Sequence, residues 1–238
     1  MKTAEGHLLN EAGTNYDKDA YEKASNTVDI CICTIMDDKL QVLLIKRKFP
    51  PFKDRWAIPG GFLDIKKKEG LNTCALRELE EETCVKGIPV YQLGTYGEPD
   101  RDPRMRVITT AYYALVPESL LPFESIEAKD DAKEYDWFPI KKLPEMAFDH
   151  DEILMHLNTR IQNDIMYTSK SFELVDKKFT WAALQKVYEA VLGGKILPPN
   201  FRRKIKIRYK IKTTKKTAKI GRGRSPALLQ FKGIKKPF

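Results

Sequence analysis

Hydrophobic positions change their period several times along the chain, and each change marks an element. The first apolar stretch starts at Val28. Val28 to Thr34 and Leu40 to Lys46 are β-branched or Leu-rich runs separated by Asp37-Asp38-Lys39, which predicts a hairpin-like pair of strands. Pro50-Pro51, Trp56 and Pro59-Gly60-Gly61 then mark a loop with unusual backbone angles. From Gly70 to Cys84 the apolar residues Leu71, Ala75, Leu76 and Leu79 form the stripe of an amphipathic helix. Strand patterns follow at Val90 to Thr95, Arg106 to Val116 and Glu134 to Phe138. A second amphipathic helix, His150 to Ile165, carries Ile153, Leu154, Leu157 and Ile161 at helical spacing. Together these predict a mixed α/β body over residues 28–165, preceded by a polar lead-in at 1–27.

The pattern then pauses. Residues 166–178 read as a linker into a second, smaller domain at 179–238. Thr180 is a good N-cap for a helix from Trp181 to Leu192, with Leu184, Val187, Tyr188 and Val191 on one side and Gly193-Gly194 ending it. Asn200 is expected to cap a second helix from Phe201 to about Tyr209. Ile211 to Phe231 reads as a β-ribbon around a GRGRSP turn. The order is therefore helix, turn, basic helix, ribbon.

Composition excludes several classes. With 42% hydrophobic and 32% charged residues the chain is neither disordered nor a coiled coil. Its longest apolar run, Ala111 to Val116, is far short of the roughly 20 residues of a membrane span. The polar start lacks an apolar signal core, so a cytoplasmic protein without a membrane partner is expected. Cys31, Cys33, Cys74 and Cys84 show no CxxC spacing and read as buried thiols.

The formal charge of +9 looks mildly basic until it is divided along the chain. Residues 1–189 hold 26 Lys and Arg against 33 Asp and Glu, whereas residues 190–238 hold 16 Lys and Arg and no acid. An acidic body carries a wholly basic end, which points to a polyanionic partner for that end.

The densest local chemistry is Arg77-Glu78-Leu79-Glu80-Glu81-Glu82. On a helix, Glu78, Glu81 and Glu82 share one face, and their convergence is expected to favour a divalent cation, since like charges one turn apart repel. Arg77 and Glu69 are placed to hold helix and loop in register by a salt bridge, and Gly61, with no Cβ, lets a backbone carbonyl approach a metal. An acidic run alone would more simply be a solvated helix face. Downstream, Arg101, Arg104 and Arg106 supply three guanidiniums suited to phosphate, or else a turn in which Asp and Arg pair with each other. Tyr96 and Trp56 are candidates to stack on a base, or are core aromatics.

The longer pattern, PGGF at 59 to 62, Glu69, and REL-x-EE-x-x-V at 77 to 85, resembles the Nudix box of the Nudix hydrolases, Gx5Ex7REUxEExGU with U aliphatic. It departs in two places. Seven residues instead of five separate Gly61 from Glu69, and Cys84 stands where the box has its late Gly. The resemblance implies an α/β/α sandwich with a mixed sheet, and Mg²⁺- or Mn²⁺-dependent hydrolysis of a nucleoside diphosphate linked to another moiety. It implies Glu78 and Glu82 as principal metal ligands, Glu81 as ligand or positioning carboxylate, and the Gly61 carbonyl as a further ligand. For the general base, which varies within the family, Glu134, Asp131 and Asp130 are candidates; each is otherwise a loop acid.

The basic end has its own resemblance. Arg202, Arg203, Lys204, Lys206 and Arg208 crowd the second helix, as in a helix-turn-helix, and Arg222 and Arg224 at the ribbon tip suit a minor groove. TWAALQKVYEAVLGGKI, FRRKI and GRGRSPALLQF are similar to the C-terminal winged helix of bacterial Nudix-related transcriptional regulators, and Phe148-Asp149-His150 fits that group. This implies a regulator that binds double-stranded DNA as a homodimer and senses ADP-ribose or a related sugar nucleotide. The alternative is a pyrophosphatase with an accessory C-terminal domain. Many such regulators carry a degenerate box. Here Glu69, Arg77, Glu78, Glu81 and Glu82 are all present.

Overall fold

The structure, a computed structural model, describes residues 22–121, 132–218 and 225–235. The expected hairpin is β1 (Ser25–Met36) and β2 (Lys39–Arg47), antiparallel with Met36 opposite Lys39. Asp37 and Asp38 both take positive φ, 50° and 56°, the backbone of a two-residue turn that matches strand twist. β1 begins three residues before the apolar run because polar Ser25 to Thr27 pair in parallel with Val107 to Thr109 of β6 (Val107–Leu115). Backbone pairing leaves no hydrophobic trace there. The expected loop around Pro59-Gly60-Gly61 is in part strand. β3 (Trp56–Ala57) pairs with β2, and β4 (Gly60–Phe62) lies antiparallel to Thr27–Asp29.

The sheet runs β3-β2-β1-β6-β5, where β5 is Tyr91–Tyr96, with β4 also on β1 and β7 (Ala132–Pro139) also on β2. Among the described strand pairs only β1 and β6 are parallel. Period two on β1 serves both faces. Ile30 and Ile32 pack on Cys74, Ala75 and Leu79 of α1 (Leu71–Thr83), while Cys31 and Cys33 face Ile153, Leu154, Leu157 and Ile161 of α2 (His150–Tyr167). The result is the α/β/α sandwich with a mixed sheet that the resemblance implied. Each of those α2 aliphatics is fully buried, worth about 1.5–3 kcal/mol apiece.

The stretch expected to be a linker is packed. α2 continues to Tyr167, and Lys170–Leu174 forms a 3-10 turn whose Leu174, with Val175, enters the core beneath α2. Its apolar residues are too few and too closely spaced to show a helical period. Then come α3 (Trp181–Leu192), α4 (Pro198–Arg208) and the antiparallel ribbon β8 (Tyr209–Thr217) and β9 (Ala227–Ile234). Thr180 caps α3 as expected, its Oγ1 accepting from Ala183 N–H, and Gly193 ends it with φ 79°. Asn200 does not cap α4. That helix starts at Pro198, where fixed φ and a missing N–H suit the first turn, so Asn200 lies inside it. Leu184, Val187, Tyr188, Val191, Phe201 and Ile205 join the same cluster as the α2 face, so a winged helix shares one core with the sandwich. Among the described residues no helix is long and apolar enough to cross a membrane.

Candidate functional site

α1 positions the box. Arg77 is its centre: Nε donates to Glu69 Oε1 at 2.8 Å and Nη2 to Glu69 Oε2 at 3.2 Å, while Nη1 donates to Glu78 Oε1 at 2.7 Å and Glu81 Oε2 at 3.3 Å. The salt bridge expected between loop and helix is therefore formed. It holds Glu69 down to a pKa of about 2, and Glu69 in turn accepts from Asp64 N–H, closing the lengthened turn at 65 to 68. Glu78 is buried, and desolvation pushes its carboxyl upward against the pull of Arg77. Glu81 and Glu82 add their negative charge to that upward push. Among the described residues no three His, Cys, Asp or Glu are gathered to hold a metal ion. The Arg77 guanidinium lies between Glu78 and Glu81 and supplies counter-charge to both.

Two positions in this region test the sequence reading of single residues. A Cβ at Gly61 would overlap Glu78 Oε1, so the backbone of β4 touches the carboxylate directly. Cys84 adopts the left-handed conformation, φ 56°, and its N–H reaches Glu80 O at 2.7 Å. The helix end survives the loss of Gly at a cost of about 1–2 kcal/mol. Cys84 is exposed, unlike buried Cys31, Cys33 and Cys74, because this cap points its side chain to solvent.

Beside the box lies a cavity of about 240 Å³ bordered by Gly60, Gly61 and Phe62. Arg47, Arg101 and Arg104 line it together with Asp29, Asp102 and His150. Two of these arginines are fixed by carboxylates. Arg101 is buried and makes a bidentate pair with Asp149 at 2.8 and 2.6 Å, and Arg104 makes one with Asp102 at 3.0 and 2.7 Å. Arg47 lies 4.8 Å above the Phe148 ring. Asp29 accepts from Thr109 Oγ1 at 2.7 Å, and His150 Nδ1 accepts from Ile58 N–H at 2.9 Å. Burial holds the His150 imidazole below its ordinary pKa, so the ring is neutral and its Nδ1 stays an acceptor. Phe49 and Phe62 form a half-exposed aromatic rim.

The structure brings together some predicted residues and not others. Arg101 and Arg104 reach the cavity, with the Asp pairing that was the competing expectation. Arg106 does not; it is exposed, and its carbonyl accepts from Ser25 N–H. Glu134 sits on β7 in an ion pair with Lys46 at 3.2 Å, and Asp130 and Asp131 lie outside the described residues. Trp56 packs edge-on to Phe138, and Tyr96 stacks on His156; both act as core aromatics. Sequence reasoning missed Asp29 and Arg47, and named Asp149 only within Phe148-Asp149-His150 without a role in the site. Each looks like an ordinary strand or loop residue, and only the sheet register carries Asp29 to the cavity.

At the other end, α4 buries Phe201 and Ile205 and exposes Arg202, Arg203, Lys204 and Lys206. Arg202 and Lys206 lie 6.0 and 5.7 Å from the Trp181 ring centre. Arg208 is turned inward, donating to Met166 O at 2.6 Å, and Tyr209 OH donates to Thr168 O at 2.6 Å. Arg222 and Arg224 fall outside the described residues.

An α/β/α sandwich with an acidic helix beside an arginine-fixed cavity, sharing its core with a winged helix, defines a two-module protein with a small-molecule domain and a helix-turn-helix domain. The chain belongs to the Nudix family: the NUDIX domain model matches residues 25–157, and that of the NrtR DNA-binding winged helix domain matches 171–231. It is 33% identical over 193 residues to the ADPR responsive transcriptional repressor NtrR of Acinetobacter baylyi, covering 80% of this chain and 75% of that one. It is 38% identical over 125 residues to an ADP-ribose pyrophosphatase of Methanocaldococcus jannaschii, covering 52% and 70%. Shewanella oneidensis NrtR, solved with a 27mer DNA, superposes with a TM-score of 0.75 at 31% identity, covering 87% of this chain and 93% of that one. Its NUDIX domain, solved with ADP ribose, gives 0.53 at 32%, covering 64% and 99%.

Proposed function

We propose that the chain is an ADP-ribose-responsive transcriptional repressor that holds double-stranded DNA with its winged helix and a sugar nucleotide in the arginine-fixed cavity. One observation carries the reading. α2 has His150 in the cavity at one end, while at the other Met166 and, just past the helix, Thr168 are bonded to Arg208 and Tyr209 of the DNA-facing module. A ligand that shifts α2 thereby has a direct hold on α4. The relation to a repressor of that response over four-fifths of the chain supports it. In the cavity, Arg101 and Arg104 would meet pyrophosphate with guanidiniums already oriented by Asp149 and Asp102. At α4, Arg202, Arg203, Lys204 and Lys206 would meet the DNA duplex, with Arg222 and Arg224 at the ribbon tip.

The test is binding of the chain to duplexes from its own upstream region, with and without ADP-ribose. Specific affinity of about 10 nM at physiological salt, weakened by ADP-ribose, is expected. Binding that is salt-labile and indifferent to sequence would sink the reading. A homodimer belongs to it, because symmetric operators present two half-sites, and light scattering should give twice the chain mass.

A second activity is favoured by the box. Gly61 closes directly on buried Glu78, and the donors there are hard oxygens, which fit Mg²⁺ or Mn²⁺. Glu78, Glu81, Glu82 and the Gly61 carbonyl would hold it, and when bound it would neutralise pyrophosphate and activate water. Arg77 keeps Glu78 and the Glu69 loop in place, and Glu134 is the described candidate for general base. Mg²⁺-dependent release of AMP from ADP-ribose, abolished by Glu82→Gln, is the expected result; no turnover of any sugar nucleotide would remove it.

A further inference from the structure

α4 carries an anomaly. On a helix otherwise sorted into buried apolar and exposed basic positions, Ile207 is 59% exposed, whereas Phe201 and Ile205 are each 3% exposed. A β-branched side chain gains nothing from water or from helix propensity there. At about 100° per residue, Arg203 and Ile207 fall together on the face opposite Phe201 and Ile205, one turn apart. Three neighbouring cations point away from that face. Arg202 and Lys206 lie over Trp181 at the flank toward α3, the Lys206 carbonyl accepts from Lys235 Nζ at 2.8 Å, and Arg208 is bonded inward to Met166.

We propose that Arg203 and Ile207 are the residues that read sequence, Arg203 bidentate to a guanine edge and Ile207 against the 5-methyl group of a thymine, while the flanking cations take phosphates. This rests on the reading of α4 as the helix that enters the major groove. Of the groups a base edge offers there, the thymine methyl is the one that an aliphatic side chain recognises, and the guanine O6 and N7 pair is the one that suits a guanidinium fork. Burying Ile207 against a methyl removes the one misplaced apolar surface on the helix. One helical turn rises about 5.4 Å and one base step about 3.4 Å, so the two bases should stand within about two steps of each other.

The experiment selects a random duplex library with the full chain, then replaces each thymine of the enriched sequence singly by deoxyuridine, which removes only the methyl. The unmodified chain should lose about fourfold in affinity at one thymine per half-site, the worth of one buried methyl group. Ile207→Ala should show no loss at that thymine, and Ile207→Val, which keeps a branched methyl, should retain it. Arg203→Lys should relax the preference for a guanine within about two steps. The inference is overturned if every thymine tolerates deoxyuridine or if Ile207→Ala suffers the same loss as the unmodified chain. A selection that enriches no sequence would overturn the operator reading and this inference with it, whereas an enriched site indifferent to the methyl would overturn this inference alone.

Discussion

Gly60 and Gly61 are adjacent and do different things. A Cβ at Gly60 would overlap the Val28 carbonyl and stand 2.8 Å from Asp29 Oδ1, both on the central strand, which cannot retreat. Gly60→Ala should therefore cost about 1–3 kcal/mol, seen as a lower denaturant midpoint. A Cβ at Gly61 meets instead the far end of the Glu78 side chain, which can swing. Gly61→Ala should stay within about 1 kcal/mol of the parent stability yet lose the Mg²⁺-dependent turnover proposed above, because it displaces the buried carboxylate. Equal destabilisation by the two would contradict that division. Both glycines are visible in the PGGF motif, but their separate duties depend on the pairing of Gly60–Phe62 with Thr27–Asp29, which no local pattern announces. His150 adds a pH effect. Its folded pKa lies below the ordinary value of about 6.5, so the folded state binds the proton less readily than the unfolded chain. The stability from this neutral ring is complete above that value and is lost as pH falls below it. His150→Asn keeps an acceptor for Ile58 N–H without the proton. The gap between denaturation midpoints at about pH 7.5 and about pH 5.5 should shrink in that variant, and an unchanged gap would exclude His150 as its source.

Elements with one wet and one dry face were legible, and those held by backbone pairing or by both domains were not. α1, α2 and α3 announce themselves through Leu and Ile at helical spacing, and the box carboxylates followed from α1. The short strands β3 and β4 did not, because Pro and Gly are turn residues wherever no partner strand is known. The junction after α2 was misread for a related reason: its Leu174 and Val175 are buried by contacts from both modules, so no face of the segment itself shows a period. That junction is dense in polar contacts. Lys170 Nζ donates to Tyr113 OH at 2.6 Å and to Asp164 Oδ2 at 2.8 Å, Tyr113 OH donates to Asp164, and Ser171 Oγ lies 3.2 Å from Tyr188 OH. Together they tie the sheet, α2 and α3. If α2 conveys the occupancy of the cavity to α4, Tyr209→Phe, which deletes the bond to Thr168 O together with the hydroxyl's hydrogen bond to Tyr188, should leave ADP-ribose binding intact and bring the ratio of DNA affinities without and with ADP-ribose toward one. The ratio is read from paired gel shifts; if it does not change, these bonds have no part in the coupling.

At the scale of the whole molecule, charge and packing pull in opposite directions. The basic C-terminal 49 residues and the acidic remainder could form a simple pair of beads, with the acidic body held away from DNA by its own field. The core contradicts that picture. Leu40, Val42 and Leu44 of the sheet, the α2 aliphatics, and Leu184, Val187 and Val191 of α3 form one cluster, and Lys186 of α3 reaches Asp38 of the first hairpin turn at 2.8 Å. A winged helix that shares its core cannot unfold while the sandwich stays intact without exposing α2. Calorimetry should therefore record one transition for the full chain. Leu184→Ala, at a position with no exposed surface, should lower that transition as a whole by the equivalent of about 2–5 kcal/mol instead of splitting off an early C-terminal melt. Two resolved transitions would show the modules to be energetically separate, and a ligand in the cavity would then not reach α4 through packed side chains. A single transition is what the position of α2 requires, since the same helix covers the sheet on one side and supports α3 on the other.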